Sequence, residues 1–318
     1  MITPQQWLPL LLASHTQRFL VLTTQHSGST WFNAELNAQR GVACAGELLI
    51  DLDEHLLPHN GSHQVQAPTW EEWVARADAA FERVHEEEVV TLKRMPRNRT
   101  DAVGFKLMYS QIWDSRPLTK KAPPKTWGGQ TRFLSWLRSR DVHVLHLVRG
   151  AAILRDNELR AERSAASLKM GDNPAHVHDL STLAKLQAVF KPRRYEPSKL
   201  ARAVQTLEEP SLYWRDLLLA QAGAKHHEVL YESLLGAPRA QAFQSAVTYI
   251  GGPPHARLRE AHKEMASDSK QNLTLRVHPI TCEERIQDWS KLKLLLKSNS
   301  LTLMTCELLA SLARKINR

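Results

Sequence analysis

The chain lacks any apolar run near the roughly 18 to 20 residues that a helix needs to cross a bilayer. The longest one near its start, Trp7 to Ala13, is broken by Pro9 and has no cationic residue ahead of it. That excludes a membrane-spanning helix there, and the segment is expected to belong to the fold rather than to act as a secretory leader. Cysteine is scarce as well: Cys44, Cys282 and Cys306 make an odd total with no C-x-x-C spacing. Neither a disulfide framework nor a zinc knuckle is indicated, and a reducing, cytoplasmic setting is expected. Three N-x-[ST] triplets, at Asn60, Asn98 and Asn272, carry meaning only on the secretory route. Repeats and low-complexity linkers are missing too, so nothing marks a domain boundary. With 42% hydrophobic side chains to fill a core, residues 1–318 are read as one elaborated domain.

One charge sign is in excess. The net charge of +9 points to anionic company, such as nucleotide phosphates or an acidic acceptor. The basic residues are scattered, without an arginine-rich arm or a basic-aromatic alternation, so nucleic acid is not the expected partner. Four short runs rich in β-branched residues read as strands: Phe19 to Thr23, Val103 to Met108, Val142 to Val148 and Glu228 to Tyr231. Helical spacing occupies the intervals, at Trp31 to Ala38, Thr131 to Arg138 and Ser181 to Phe190. The alternation predicts an α/β fold, a P-loop-like parallel sheet with helices on both faces, whose ligands sit at the C-terminal strand ends. Residues 51–100, with a helical patch around Trp70 to His85, and residues 170–209 read as helical cap insertions that frame an acceptor pocket.

The first strand runs into Thr24-Gln25-His26-Ser27-Gly28-Ser29-Thr30-Trp31, where helical spacing resumes at once. A strand, a tight turn and a helix start aim backbone N–H groups and the positive end of the helix dipole at an anion. Gly28 lets the backbone approach, and the hydroxyls add donors. A plain helix cap accounts for the same composition. The lysine of a G-x-x-x-x-G-K-[ST] loop is missing, which disfavours ordinary nucleoside triphosphate hydrolysis.

The loop resembles the 5′-phosphosulfate loop of sulfotransferases that use 3′-phosphoadenosine 5′-phosphosulfate (PAPS), written [KR]-[ST]-G-[ST]-[ST]-[WFL]. Ser27, Gly28, Ser29, Thr30 and Trp31 match, while His26 replaces the leading cation and can serve only when protonated or as a neutral N–H donor. Further matches follow in the family's order. Arg149, after His143-Val144-Leu145-His146-Leu147-Val148, is similar to the strand-end arginine that binds the 3′-phosphate, a role that suits a guanidinium fork. Asn157 stands where the family keeps a serine for the same phosphate, with Ser164 and Ser167 further along. Tyr231, in Val229-Leu230-Tyr231-Glu232-Ser233-Leu234, takes the place of the tyrosine that approaches adenine; a core tyrosine reads equally well. Lys270 and Ile286-Gln287-Asp288-Trp289 resemble the family's lysine loop and C-terminal helix.

The resemblance implies PAPS as co-substrate, no metal, and a base that takes the acceptor's proton. In one subgroup that base is a histidine two residues after a strand-end lysine; here the lysine is Lys106 and the position holds Met108. The carbohydrate type, with a glutamate shortly after the first helix, is closer, and Glu47 stands there as the expected general base, with a surface glutamate as the alternative. Lys106 and His26 are expected to favour departure of the bisphosphate, although a strand-end lysine that only neutralises phosphate fits Lys106 too. The acceptor is then a small molecule or a carbohydrate. Two other classes remain open: a phosphotransferase on a degenerate P-loop, and a non-catalytic module that binds anions or nucleic acid. The histidine pairs His176/His178 and His226/His227 have no third ligand at helical spacing, so a metal site is not expected.

Overall fold

The computed structural model describes residues 16–24, 27–49, 69–92, 101–112, 128–150, 210–219, 223–234, 239–253 and 287–290; for 85–92 and 128–130 it describes the backbone alone. In chain order the regular elements are β1 (Gln17–Thr23), α1 (Ser29–Asn37), β2 (Val42–Glu47), α2 (Trp70–Leu92), β3 (Ala102–Met108), α3 (Gly128–Ser139), β4 (His143–Val148), α4 (210–219), β5 (His226–Leu230) and α5 (Arg239–Tyr249). Short 3-10 turns follow β3 at Tyr109–Gln111 and β5 at Tyr231–Leu234.

The five strands form one sheet in the order β2-β3-β1-β4-β5, and every neighbouring pair is parallel. All their C-terminal ends therefore lie along one rim. The chain leaves β1 toward β2 on one side and later returns to β4 on the other, which puts the crevice for a ligand beside the end of β1. The expected α/β architecture is present.

Burial on both faces explains the near-continuous apolar strands. Alternate β1 residues go to opposite cores: Leu20 and Leu22 face one, Phe19 and Val21 the other. On the first side α2 presses Trp73, Ala77, Phe81 and Val84, α3 presses Phe133 and Trp136, and α4 presses Trp214 against the sheet. On the second side α1 contributes Phe32 and Leu36, and α5 contributes Phe243 and Val247. Gly104, opposite Phe19 in the register, is a glycine because a side chain there would run into the Phe19 carbonyl and ring.

Two differences from the sequence reading concern placement. β2 is a strand that periodicity did not reveal, since Val-Ala-Cys-Ala-Gly-Glu holds one β-branched residue and two alanines. Pairing with β3 makes it a strand. The helical patch near Trp70 is a 23-residue helix laid on the sheet as part of a layer, so this stretch of the 51–100 insertion contributes to the core. Residues 51–68, 93–100 and 170–209, and the expected helix at Ser181 to Phe190, lie outside the described residues.

Among the described residues no helix is long and apolar enough to cross a membrane.

Candidate functional site at the C-terminal rim of the sheet

Each of the five strands delivers to the rim one of the residues that the sequence singles out. β1 leads into the turn at Ser27 and Gly28, β2 ends on Glu47, β3 carries Lys106, β4 leads into Arg149, and β5 into Tyr231. His26, Asn157 and Lys270 lie outside the described residues.

Gly28 caps α1 with φ of 81°, a left-handed conformation that an L side chain rarely adopts. The helix begins with the Phe32 N–H donating to the Gly28 carbonyl at 3.0 Å, and no side chain caps its N-terminus. The N–H groups of Ser29, Thr30 and Trp31 precede that first bond and belong to the positive end of the dipole. Ser27 is fully buried, and its hydroxyl lies 2.6 Å from the Thr23 hydroxyl, itself 3.0 Å from the Leu147 carbonyl. Thr23 has one hydroxyl proton and a carbonyl can only accept, so Thr23 donates to Leu147 and Ser27 donates to Thr23. Ser27 thus ties the turn to β1 and β4. With its hydroxyl proton committed to Thr23, Ser27 offers an anion its backbone and not its hydroxyl.

Tyr231 closes over this turn. A Cβ at position 28 would collide with the Tyr231 ring, so glycine serves this close approach as well as the backbone conformation. The Trp31 ring meets Tyr231 edge-on with centroids 6.2 Å apart, and the Arg149 guanidinium lies over the Tyr231 ring at 5.3 Å. Two residues 82 positions apart thereby meet above the loop, joined by a cation–π contact. Behind them the buried Glu232 accepts the Gly150 N–H at 3.0 Å and fixes the path of the chain leaving β4.

Glu47 and Lys106 are one unit. The Lys106 ammonium and Glu47 Oε1 are 2.7 Å apart, with the lysine side chain 8% and the glutamate side chain 23% exposed. The register sets Lys106 beside both Glu47 and Val21, on the α1 side of the sheet, after a shift in pairing between Ala45 and Glu47. That irregularity re-aims Glu47 at the lysine, a common use of a bulge near functional residues. Cys44 is fully buried on the same side, and burial pushes its thiol well above the usual range against the opposing pull of Lys106. It is a structural thiol, not a nucleophile.

Sequence reasoning missed Gln111. Its amide Nε2 donates to Glu47 Oε2 at 3.2 Å, and its amide oxygen accepts the Met108 N–H at 2.9 Å. The signal in Tyr-Ser-Gln-Ile-Trp is faint, the second of two polar residues after a buried strand.

A second polar cluster lies inside the other core. His146 is fully buried on β4, with Nε2 2.6 Å from the Tyr109 hydroxyl, which also reaches Ser211 at 3.3 Å. Burial, aided by the charge of neighbouring His226 and Arg215, brings the His146 pKa down to about 3. The Nδ1 atom is 4.0 Å from Glu228, but that carboxylate is held bidentately by Arg215 at 2.5 and 2.9 Å. Burial outweighs this long contact and the imidazole is neutral. His226 and His227 point to opposite sides of β5, one toward His146 and the other onto Tyr249, so they do not converge on a common ion. Among the described residues no group of three or more His, Cys, Asp or Glu side chains is arranged to hold a metal.

Comparison with known proteins finds no family model that matches this chain and no curated protein with significant similarity to it. Fold and geometry are what bear on its function.

Proposed function

We propose that this protein is a sulfotransferase that moves a sulfuryl group from PAPS to a hydroxyl or amine of a small-molecule or carbohydrate acceptor, releasing adenosine 3′,5′-bisphosphate. The observation that carries the reading is the convergence of five strand ends on one rim, with an anion-type turn, an arginine, an aromatic ring and a carboxylate–ammonium pair. The 5′-phosphosulfate lies against the backbone N–H groups at the start of α1. Arg149 takes the 3′-phosphate, with Asn157 and Lys270 assigned to the same group by resemblance alone. Tyr231 borders the adenine.

In the reaction the acceptor oxygen or nitrogen bonds to sulfur while the bond from sulfur to the bridging oxygen of the phosphosulfate breaks. The electron pair of that bond stays on the bisphosphate, and the acceptor proton passes to Glu47. Lys106 already engages Glu47 Oε1, so Oε2 is the oxygen that receives the proton. Lys106 and His26 supply positive charge to the departing bisphosphate. The chemistry calls for no metal and suits a cytoplasmic setting.

The test is a thermal-shift comparison of adenosine 3′,5′-bisphosphate, AMP and ATP with magnesium. A ligand of the native state at about 100 times its Kd adds about 2.7 kcal/mol of stability, so the bisphosphate is expected to raise Tm well beyond the other two. Equal stabilisation by ATP would replace this reading with a phosphotransferase. Binding of the bisphosphate without turnover of PAPS over a broad acceptor panel would leave a module that only binds.

A further inference from the structure

Gln111 is 1% exposed, and both ends of its amide are committed. The Met108 N–H can only donate, so the amide oxygen must face it, and the NH2 group must then face Glu47. The orientation of the amide is set by the backbone of β3, not by the carboxylate it serves. The backbone carbonyl of Gln111 is held in turn by the Trp73 indole N–H at 2.8 Å. Trp73 is itself fixed in the first core, stacked on Trp70 with centroids 5.3 Å apart and meeting Phe133 and Trp136 edge-on. A chain of directional contacts therefore runs from the aromatic core through Gln111 to Glu47 Oε2, while Lys106 holds Oε1 from the other side.

We infer that Gln111 is a positioning residue for the proton acceptor: with Lys106 it fixes the plane of the Glu47 carboxylate and presents Oε2 to the acceptor. The inference rests on the sulfotransferase reading. The amide donates to one lone pair of Oε2 and leaves a second for the incoming proton, and the 23% exposure of Glu47 gives an acceptor access to it. A carboxylate held by two donors from one strand and its following turn loses little orientational freedom when the substrate arrives, which is where positioning contributes to rate.

Two measurements test this in the full chain. The first is independent of activity: the side-chain amide signal of Gln111 in a nitrogen–proton NMR spectrum, assigned by its loss in Gln111→Met. The signal is expected to exchange slowly with solvent and to shift in Glu47→Gln; a signal indifferent to that substitution would overturn the contact and the inference with it. The second is kinetic, with PAPS and an acceptor that wild type uses. Gln111→Met is expected to lower kcat by about tenfold to a hundredfold, the scale of a misplaced catalytic group, with KM for PAPS and stabilisation by adenosine 3′,5′-bisphosphate little changed. Made in a Glu47→Gln background, the same change is expected to cost almost nothing further, because Gln111 acts through the carboxylate. Additive losses would mean that Gln111 supports the fold alone. Should Gln111→Met fail to fold, Gln111→Glu keeps the acceptor for Met108 and replaces the donor by a repelling charge, with the same expected pattern. If wild type binds no bisphosphate and transfers no sulfuryl group, the function reading falls and the positioning role falls with it, while the NMR result still reports the contact.

Discussion

Lys106 and Tyr109 are three residues apart, and each anchors a polar cluster beneath the same rim, yet the two clusters handle charge in opposite ways. Lys106 faces the α1 side and pairs with a partly exposed carboxylate; Tyr109 turns to the other side and meets a fully buried imidazole. In the first cluster two opposite charges lie 2.7 Å apart at the edge of solvent, where an ion pair costs less desolvation than deep in a core. In the second, no counter-charge is close enough to offset burial, because Arg215 occupies Glu228, and the histidine gives up its proton. The contrast separates a cluster held by opposite charges at the edge of solvent, where the proposed general base lies, from a buried one held by a hydrogen bond between neutral groups.

The largest expected effect breaks the first cluster. Glu47→Gln keeps the shape of the side chain but cannot take the acceptor proton, so kcat should fall by roughly 10² to 10⁴, the usual share of a general base. Stabilisation by adenosine 3′,5′-bisphosphate should stay nearly as in wild type. Near-normal turnover would move the base elsewhere, first to the histidines outside the described residues.

Acid should break the second cluster. The pKa of His146 is lowered to about 3 in the fold from 6.5 unfolded, so below about pH 6.5 the unfolded chain takes up a proton that the folded chain refuses. The stability contributed by a neutral His146 is therefore complete above pH 6.5 and is lost as pH falls toward 3, at a slope of up to about 1.4 kcal/mol per pH unit. Burial lowers His143, His226 and His227 as well, which adds to the loss in the same direction. Urea denaturation at pH 7, 6 and 5 should show the decline, and His146→Leu should flatten it. An unchanged slope in that variant would mean that His146 is open to solvent.

Arg149→Ala removes the guanidinium over the Tyr231 ring and should weaken binding of the bisphosphate by about 1.5 to 3 kcal/mol, the scale of a hydrogen bond to a charged group. Calorimetry with adenosine 3′,5′-bisphosphate and AMP sharpens the reading, since the loss should vanish for the nucleotide without a 3′-phosphate. The smallest effect is expected from Tyr109→Phe, which leaves His146 Nε2 buried without its 2.6 Å partner and should cost about 1 to 2 kcal/mol of stability with kcat unmoved. A drop in kcat of the size expected for Glu47→Gln would join the two clusters into one.

Much of the architecture was legible along the chain. β1, β3 and β4 read as largely apolar runs because the sheet is covered on both faces there, and burial on both faces writes itself into composition, whereas the half-buried β5 is marked only by its apolar end at Val229 and Leu230. The turn at Gly28 announced itself because only glycine takes its backbone conformation cheaply. β2 was not legible, since small residues are compatible with many structures and only pairing with β3 selects one. Gln111 and the pairing of Glu47 with Lys106 were equally hidden: nothing in the spacing of positions 47, 106 and 111 says that they meet.

The sequence by itself determined which residue types stand at which strand ends, because strand, turn and helix starts are local and their signals lie within a few residues of one another. Tertiary structure alone decided their partnerships. Register set Lys106 against Glu47, the crossing from one side of β1 to the other brought Arg149 and Tyr231 over Gly28, and the depth of the first core made His146 neutral. Those outcomes depend on distances between residues far apart in the chain and on how much water reaches them, and neither is encoded in any short stretch of it.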